Sequence, residues 1–247
     1  MPDLNVDNRM TTEPQRKLIV AIHGAGMCDR VWVSLADIMT DHPLQAISLP
    51  GHGNDVSAFL DSIEKMGEWM VQRLKDQPVK SVILIGHSMG ALVALEAAKS
   101  PAVAGLVFIS ATPEMPVNND LLREAKSNPT AATDMILRWS VSKNHPWADT
   151  LTNWLKKEIT PSSLYNDLTA CNNYRHGRVA TNAVRVPTIV IIGAQDKMVK
   201  PADAEEWASL LPDKNFRKIE DAGHMPMVEQ PAETLSAISG FIGSLTV

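Results

Sequence analysis

The sequence predicts an α/β protein: a mostly parallel sheet of about six strands, helices on both faces, and a helical block inserted after the fourth strand. Apolar, β-branched runs recur along the chain, and the segments between them carry helical periodicity. The stretch 112–186 breaks that rhythm, because it contains amphipathic pieces and no convincing strand.

Residues 1–16 are polar and irregular and read as a loose arm. Lys17-Leu18-Ile19-Val20-Ala21-Ile22 is a continuous apolar run ending at His23-Gly24-Ala25-Gly26, the pattern of a buried parallel strand followed by a loop. A helix is expected over 31–40 and a second strand over 44–49, stopped by Pro50-Gly51-His52-Gly53. A helix over 58–75 follows, with Ile63, Met66, Trp69, Met70 and Leu74 at mostly helical spacing. Further strands are expected at 81–85, 103–109, 188–192 and 215–219, with a helix directly after Ser88 and a closing helix over 232–243.

The inserted block is punctuated by Pro116, Pro129, Pro146 and Pro161, and reads as four short helices at 118–127, 130–142, 147–158 and 161–171. A block this long, entering at the carboxyl ends of two strands, is expected to lie over the site as a lid. The division is therefore an arm (1–16), a core (17–111 and 187–247) and a lid (112–186). Trp139, Trp147, Leu151 and Trp154 read as apolar glue between lid and core, ahead of lining a pocket.

A chain of 247 residues, 45% hydrophobic and 21% charged, can bury one large core and does not require two domains. The net charge of −5 comes from interspersed signs, so neither a nucleic-acid partner nor an anionic membrane surface is expected. The first residues lack the basic and apolar regions of a signal peptide, and no apolar stretch reaches membrane-spanning length. Cys28 and Cys171 lie far apart in sequence and could form one bridge at most; without an export signal they read as free thiols in a reducing cytoplasm. No cluster of His, Cys and carboxylates has metal-ligand spacing, and no cofactor is expected.

The chemistry centres on Gly86-His87-Ser88-Met89-Gly90, framed by the 81–85 run and by Ala91-Leu92-Val93-Ala94-Leu95. Strand, sharp turn and helix make this the context of a nucleophile elbow. A serine hydroxyl needs a base to take its proton, and histidine has the pKa for that task. Of seven histidines, His224, in Asp221-Ala222-Gly223-His224, stands in a loop just after the last strand, at the sheet edge of Ser88. Asp196, after the fifth strand, is placed to hold that imidazole in one tautomer and to stabilise its charged form. Glu114, after the fourth strand, is the alternative acid.

The order Ser88, Asp196, His224 and the segments His23-Gly24, Leu49-Pro50-Gly51-His52-Gly53, Gly86-His87-Ser88-Met89-Gly90, Gly193-x-x-Asp196 and Gly223-His224 resemble the serine esterases of the α/β-hydrolase fold. The chain is similar to the small lidded carboxylesterases, the group that includes the pimeloyl-acyl-carrier methyl esterase and the plant methyl esterases. The resemblance covers nearly everything from Lys17 onward. It implies an oxyanion hole from the backbone N–H groups of Ala25 and Met89, and hydrolysis of a small-molecule carboxylic ester. It departs from the family in carrying Ser48 where Asp is common before Leu49, and in showing no antiparallel strand pair within 1–16. Within the fold, Ser88 speaks against the epoxide hydrolases and dehalogenases, which use Asp there, and Met225 against hydroxynitrile lyases, which carry Lys. A thioesterase, a carbon–carbon bond hydrolase and a ligand-binding receptor on the same scaffold stay open.

Overall fold

A computed structural model describes residues 17–42, 44–75 and 81–245; the arm expected over 1–16 lies outside them. Six strands, β1 (Leu18–Ile22), β2 (Leu44–Ile47), β3 (Val82–His87), β4 (Val103–Ile109), β5 (Thr188–Gly193) and β6 (Asn215–Ile219), form one sheet in the order β2-β1-β3-β4-β5-β6. Every neighbouring pair is parallel. Parallel strands need crossover connections, and helices supply them on both faces.

The strands are apolar on both sides because both sides are covered. Val20, Ile22, Leu84, Leu106, Phe108, Val190 and Ile192 face one buried cluster, and Ile19, Ala21, Ile83, Ile85, Val107, Ile189 and Ile191 face another. This is the period-two alternation of a pleated strand with both faces filled by apolar side chains. Helices α2 (Ile63–Lys75), α3 (Met89–Ala97) and α9 (Pro201–Leu210) cover the first face. Helices α1 (Val33–Ala36), α10 (Pro226–Glu229) and α11 (Pro231–Ser244) cover the second.

The strand order reverses beside β1: the chain goes from β1 to β2 on one side, then returns to set β3 on the other. A reversal of this kind opens a crevice beyond the carboxyl ends of the strands. Gly24 and Ala25, after β1, and Ser88, after β3, line it.

Between β4 and β5 lie α4 (Asn119–Ser127), α5 (Pro129–Ser140), α6 (Ala148–Glu158), α7 (Pro161–Asn173) and α8 (Gly177–Ala183). Proline opens α5 and α7, where its missing N–H costs no helical bond. The Asn118 side chain caps α4 by accepting from the N–H groups of Asp120 and Leu121. Leu121, Ala125, Ala132, Ile136, Leu164 and Leu168 give these helices a small core of their own. The tryptophans divide: Leu151 and Trp154 pack on the main core, Trp147 is 66% exposed, and Trp139 lines the cavity rather than acting as glue.

Helices α9 and α10 are not among the elements expected from the sequence, and three further elements differ from that expectation. The helix over 31–40 is a 3-10 turn (Asp29–Trp32) leading into the one-turn α1, which suffices to bury Val31, Trp32 and Leu35. Helix α2 begins at Ile63 rather than 58, because Phe59 turns back to pack edge-on against His52, with ring centroids 5.6 Å apart. Helix α8 has no apolar periodicity to announce it, and its Gly177 abuts the Pro113 carbonyl so closely that a Cβ would lie 1.6 Å from the oxygen.

Phe108, wholly buried on β4, stacks on Trp207 of α9 with centroids 4.5 Å apart. Phe108→Ala is expected to lower the free energy of unfolding by about 3–5 kcal/mol, read from urea denaturation.

Candidate active site

Ser88 stands between β3 and α3 with φ 51° and ψ −117°, a left-handed conformation that costs a non-glycine residue about 1–3 kcal/mol. Packing enforces it. A Cβ on Gly86 would fall 2.2 Å from the Gly90 carbonyl oxygen, and one on Gly90 would fall 2.3 Å from that of Ile22, so strand, elbow and helix approach as only glycine permits. The Ser88 N–H donates to the Ile109 carbonyl at 2.9 Å, which ties the elbow to β4.

Met89 is the first residue of α3, so its N–H is one of the helix's unpaired donors. Its side chain is buried in the core. The Ala25 N–H lies in the loop after β1 and, like that of Met89, has no acceptor among the described residues. The Gly24–Ala25 peptide is held through its carbonyl, which accepts from His23 Nδ1 at 2.8 Å and from the Met27 N–H at 3.2 Å. His23 Nε2 in turn accepts from the Leu49 N–H at 3.0 Å, and burial beside His52 holds the neutral ring's pKa down to about 4.

Strands β5 and β6 are parallel neighbours, so the loops that leave them meet at one edge. There His224 Nδ1 lies 2.8 Å from Asp196 Oδ2, with both side chains almost wholly buried. Asp196 Oδ1 accepts from the N–H groups of Met198 at 2.8 Å and Val199 at 3.0 Å. Burial pushes the Asp196 carboxyl up, but His224 and these donors outweigh it and hold it below the ordinary carboxylate value. An ionised carboxylate only accepts, so the His224 proton sits on Nδ1 and the Nε2 lone pair is left free. Glu114 is not at this histidine. It is half-buried on the segment after β4, and its carbonyl accepts from Thr112 Oγ1 at 2.8 Å.

The His224 loop is fixed by groups that the sequence reading passed over. The His224 N–H donates to Ser140 O at 2.7 Å, and His87 Nε2 donates to His224 O at 2.9 Å. Burial and the neighbouring His224 ring keep His87 neutral, with its pKa down to about 3. Glu229, on α10, accepts from the N–H groups of Gly223 (2.9 Å), Met225 (3.1 Å) and Ser142 (2.7 Å), binding the loop to the end of α5. An acid standing alone in the apolar run Met225-Pro226-Met227-Val228 was the available signal. Ser48, at the family's usual Asp position, donates to Asp29 Oδ1 at 2.7 Å and has no part in the site.

Ser88, His87 and His224 line one cavity of ≈ 440 Å³ with Gly24 and Ala25. Its walls are mostly apolar, among them Met27, Val117, Leu121, Ile136, Trp139 and Leu168, and among the described residues Lys197 is the one cation in the lining. Among the described residues, no group of His, Cys, Asp and Glu could hold a metal ion. Cys28 is buried with its thiol pushed up by desolvation, the opposite of an activated nucleophile.

Asp196, with its pKa lowered on folding, contributes stability that is present above the ordinary carboxylate value and lost as pH falls through the lowered one. Asp196→Asn is therefore expected to lower Tm at neutral pH, with the gap to wild type narrowing in acid. Glu229→Ala would strand three buried N–H groups and is expected to cost about 2–5 kcal/mol in urea unfolding.

Comparison with known proteins agrees with this architecture. A pimeloyl-acyl-carrier-protein methyl ester esterase of Photobacterium profundum is 26% identical over 263 aligned positions, spanning 94% of this chain and 96% of that protein. A Vibrio anguillarum protein named probable anguibactin biosynthesis thioesterase is 27% identical over 187 positions, spanning 72% of this chain and 71% of that one. The structure of a thermophilic esterase from Thermogutta terrifontis shares the fold at TM-score 0.81 and 21% identity, covering 94% of this chain and 91% of that chain. Residues 19–237 match the family described as the alpha/beta hydrolase family, and the chain belongs to it.

Proposed function

We propose that the chain is a serine hydrolase that cleaves small or medium carboxylic esters through an acyl-enzyme on Ser88, with His224 as general base. The observation that carries this reading is the buried Asp196–His224 pair, which leaves the Nε2 lone pair free on a ring that lines the same cavity as the elbow serine. Ser88 Oγ attacks the ester carbonyl carbon as His224 Nε2 takes its proton. The carbonyl oxygen becomes an oxyanion, received by the N–H groups of Ala25 and Met89. Collapse expels the alcohol, which leaves with the proton from His224. A water then attacks the acyl-enzyme by the same route, releasing the carboxylic acid and restoring the Ser88 hydroxyl.

Helices of 112–186 supply much of the cavity wall, which supports their reading as a lid that shapes the pocket, with 17–111 and 187–247 as the catalytic core. Apolar walls favour an uncharged acyl chain, and ≈ 440 Å³ suits one of small to medium length. Similarity to a methyl ester esterase supports an ester with a small alcohol. Similarity to a thioesterase keeps a thioester as the second reading, since the same steps would expel a thiol. No described helix is long and apolar enough to cross a membrane, and two buried free cysteines suit a reducing cytoplasm.

Ser88→Ala is expected to abolish hydrolysis of p-nitrophenyl acetate and butyrate while leaving Tm nearly unchanged. Asp196→Asn is expected to lower kcat by about 10⁴-fold through loss of the correct tautomer. Substantial turnover by Ser88→Ala would remove the nucleophile assignment. Parallel assays of p-nitrophenyl esters and acyl thioesters decide between the two leaving groups.

A further inference from the structure

A second buried histidine–carboxylate pair lies outside the Ser88 machinery. His52, in the Gly51-His52-Gly53 turn after β2, and Asp167, on α7, are both 0% exposed at their side chains, and His52 Nε2 lies 2.8 Å from Asp167 Oδ2. The same carboxylate oxygen accepts the Gly26 N–H at 2.7 Å. On its other side His52 Nδ1 faces the Pro50 carbonyl at 3.0 Å. A carbonyl and a carboxylate only accept, so both ring nitrogens must donate, and the ring is an imidazolium. Burial opposes that charge, yet the Asp167 carboxylate and the backbone carbonyl outweigh it and hold the pKa above its ordinary value. The His23 ring, 4.8 Å away, is neutral and does not compete for the carboxylate.

Gly26 is the residue after Ala25, and both its peptide groups are held from 112–186. Asp167 takes its N–H, and its carbonyl accepts from the Thr160 N–H at 2.6 Å. Peptide units are planar and trans, so the Ala25 N–H points opposite the Gly24 carbonyl of its own unit, and the next unit, Ala25–Gly26, limits its tilt through the Ala25 backbone torsions. His23 and Met27 hold the Gly24 carbonyl, and Asp167 holds the Ala25–Gly26 unit. A Cβ on Gly26 would also come within 3.0 Å of Leu164 on α7, so helix and loop are in direct contact.

We propose that His52 and Asp167 are positioning residues of the oxyanion loop: a buried imidazolium–carboxylate pair through which α7 fixes the Ala25 N–H toward Ser88. The inference rests on the Ser88 reading and deepens it. Through this pair the helical block does more than wall the pocket, because the contact of α7 with the loop after β1 sets the geometry in which charge develops at the ester oxygen. His52 orders the carboxylate, the carboxylate orders Gly26, and neither touches the substrate.

The test is Asp167→Ala in the full chain, assayed with p-nitrophenyl butyrate beside Ser88→Ala. The expected result is a fall in kcat of about tenfold to a hundredfold with KM within about twofold of wild type. Affinity for a trifluoromethyl ketone, whose Ser88 adduct bears the oxyanion, is expected to fall in parallel. Asp167→Asn keeps an oxygen for the Gly26 N–H and should recover part of kcat. Unchanged kcat, or a loss confined to KM or Tm, overturns the positioning role and leaves the hydrolase reading intact. Full activity in Ser88→Ala would instead overturn the hydrolase reading. Should Asp167→Ala fail to fold, side-chain ¹⁵N NMR of the wild type decides, with His52 assigned by its loss in His52→Gln. Two protonated ring nitrogens at neutral pH are required, and a neutral ring overturns the proposal.

Discussion

A serine backbone held at φ 51° is unfavourable by itself, and it persists at position 88 because its surroundings leave it no alternative. The Ser88 N–H is bound to β4, Gly86 presses on Gly90, and Gly90 presses on the end of β1. These approaches need strands wholly buried on both faces and a helix, α3, with almost no exposed side. Much of the core serves this one constraint. The elbow in turn fixes which way α3 points its first unpaired N–H, at Met89.

Around the elbow the polar groups are sorted by protonation state. His23 and His87 are neutral because burial removes their charge, and each uses its ring to hold a backbone carbonyl: that of Gly24 for one, that of His224 for the other. His52 faces acceptors on both nitrogens and is bound to a carboxylate. Asp196 and Glu229 are buried acids that gather backbone N–H groups at the loops leaving β5 and β6. Such donors are the usual condition for keeping a carboxylate inside a protein. The result is a set of loops at one sheet edge, pinned by buried side chains of their own and of neighbouring elements.

The strands were legible because branched apolar runs bounded by glycine or proline have few other readings, and all six appear within two residues of expectation. Helices α5 and α7 were legible through the prolines that open them. The start of α2 is not legible in the sequence, because no local rule says that Phe59 will leave the helical track to pack on His52. Ser88, Asp196 and His224 could be picked out because each follows a recognisable strand. Glu229 and the His52–Asp167 pair could not, since their partners lie up to 115 residues away and only the folded chain brings them together. Local pattern marks candidate chemical groups, whereas the side chains that hold their loops are found through tertiary contacts.

The proposed chemistry rests on Ser88 as a nucleophile activated by His224. Treatment of the folded protein with a fluorophosphonate, followed by peptide mass mapping, tests it without any choice of substrate, because the reagent bonds to a serine oxygen only when a base takes its proton. One stoichiometric adduct is expected on the peptide carrying Ser88, and little or none in His224→Gln protein of equal thermal stability. No labelling of the folded wild type, or labelling that persists undiminished without His224, would contradict it.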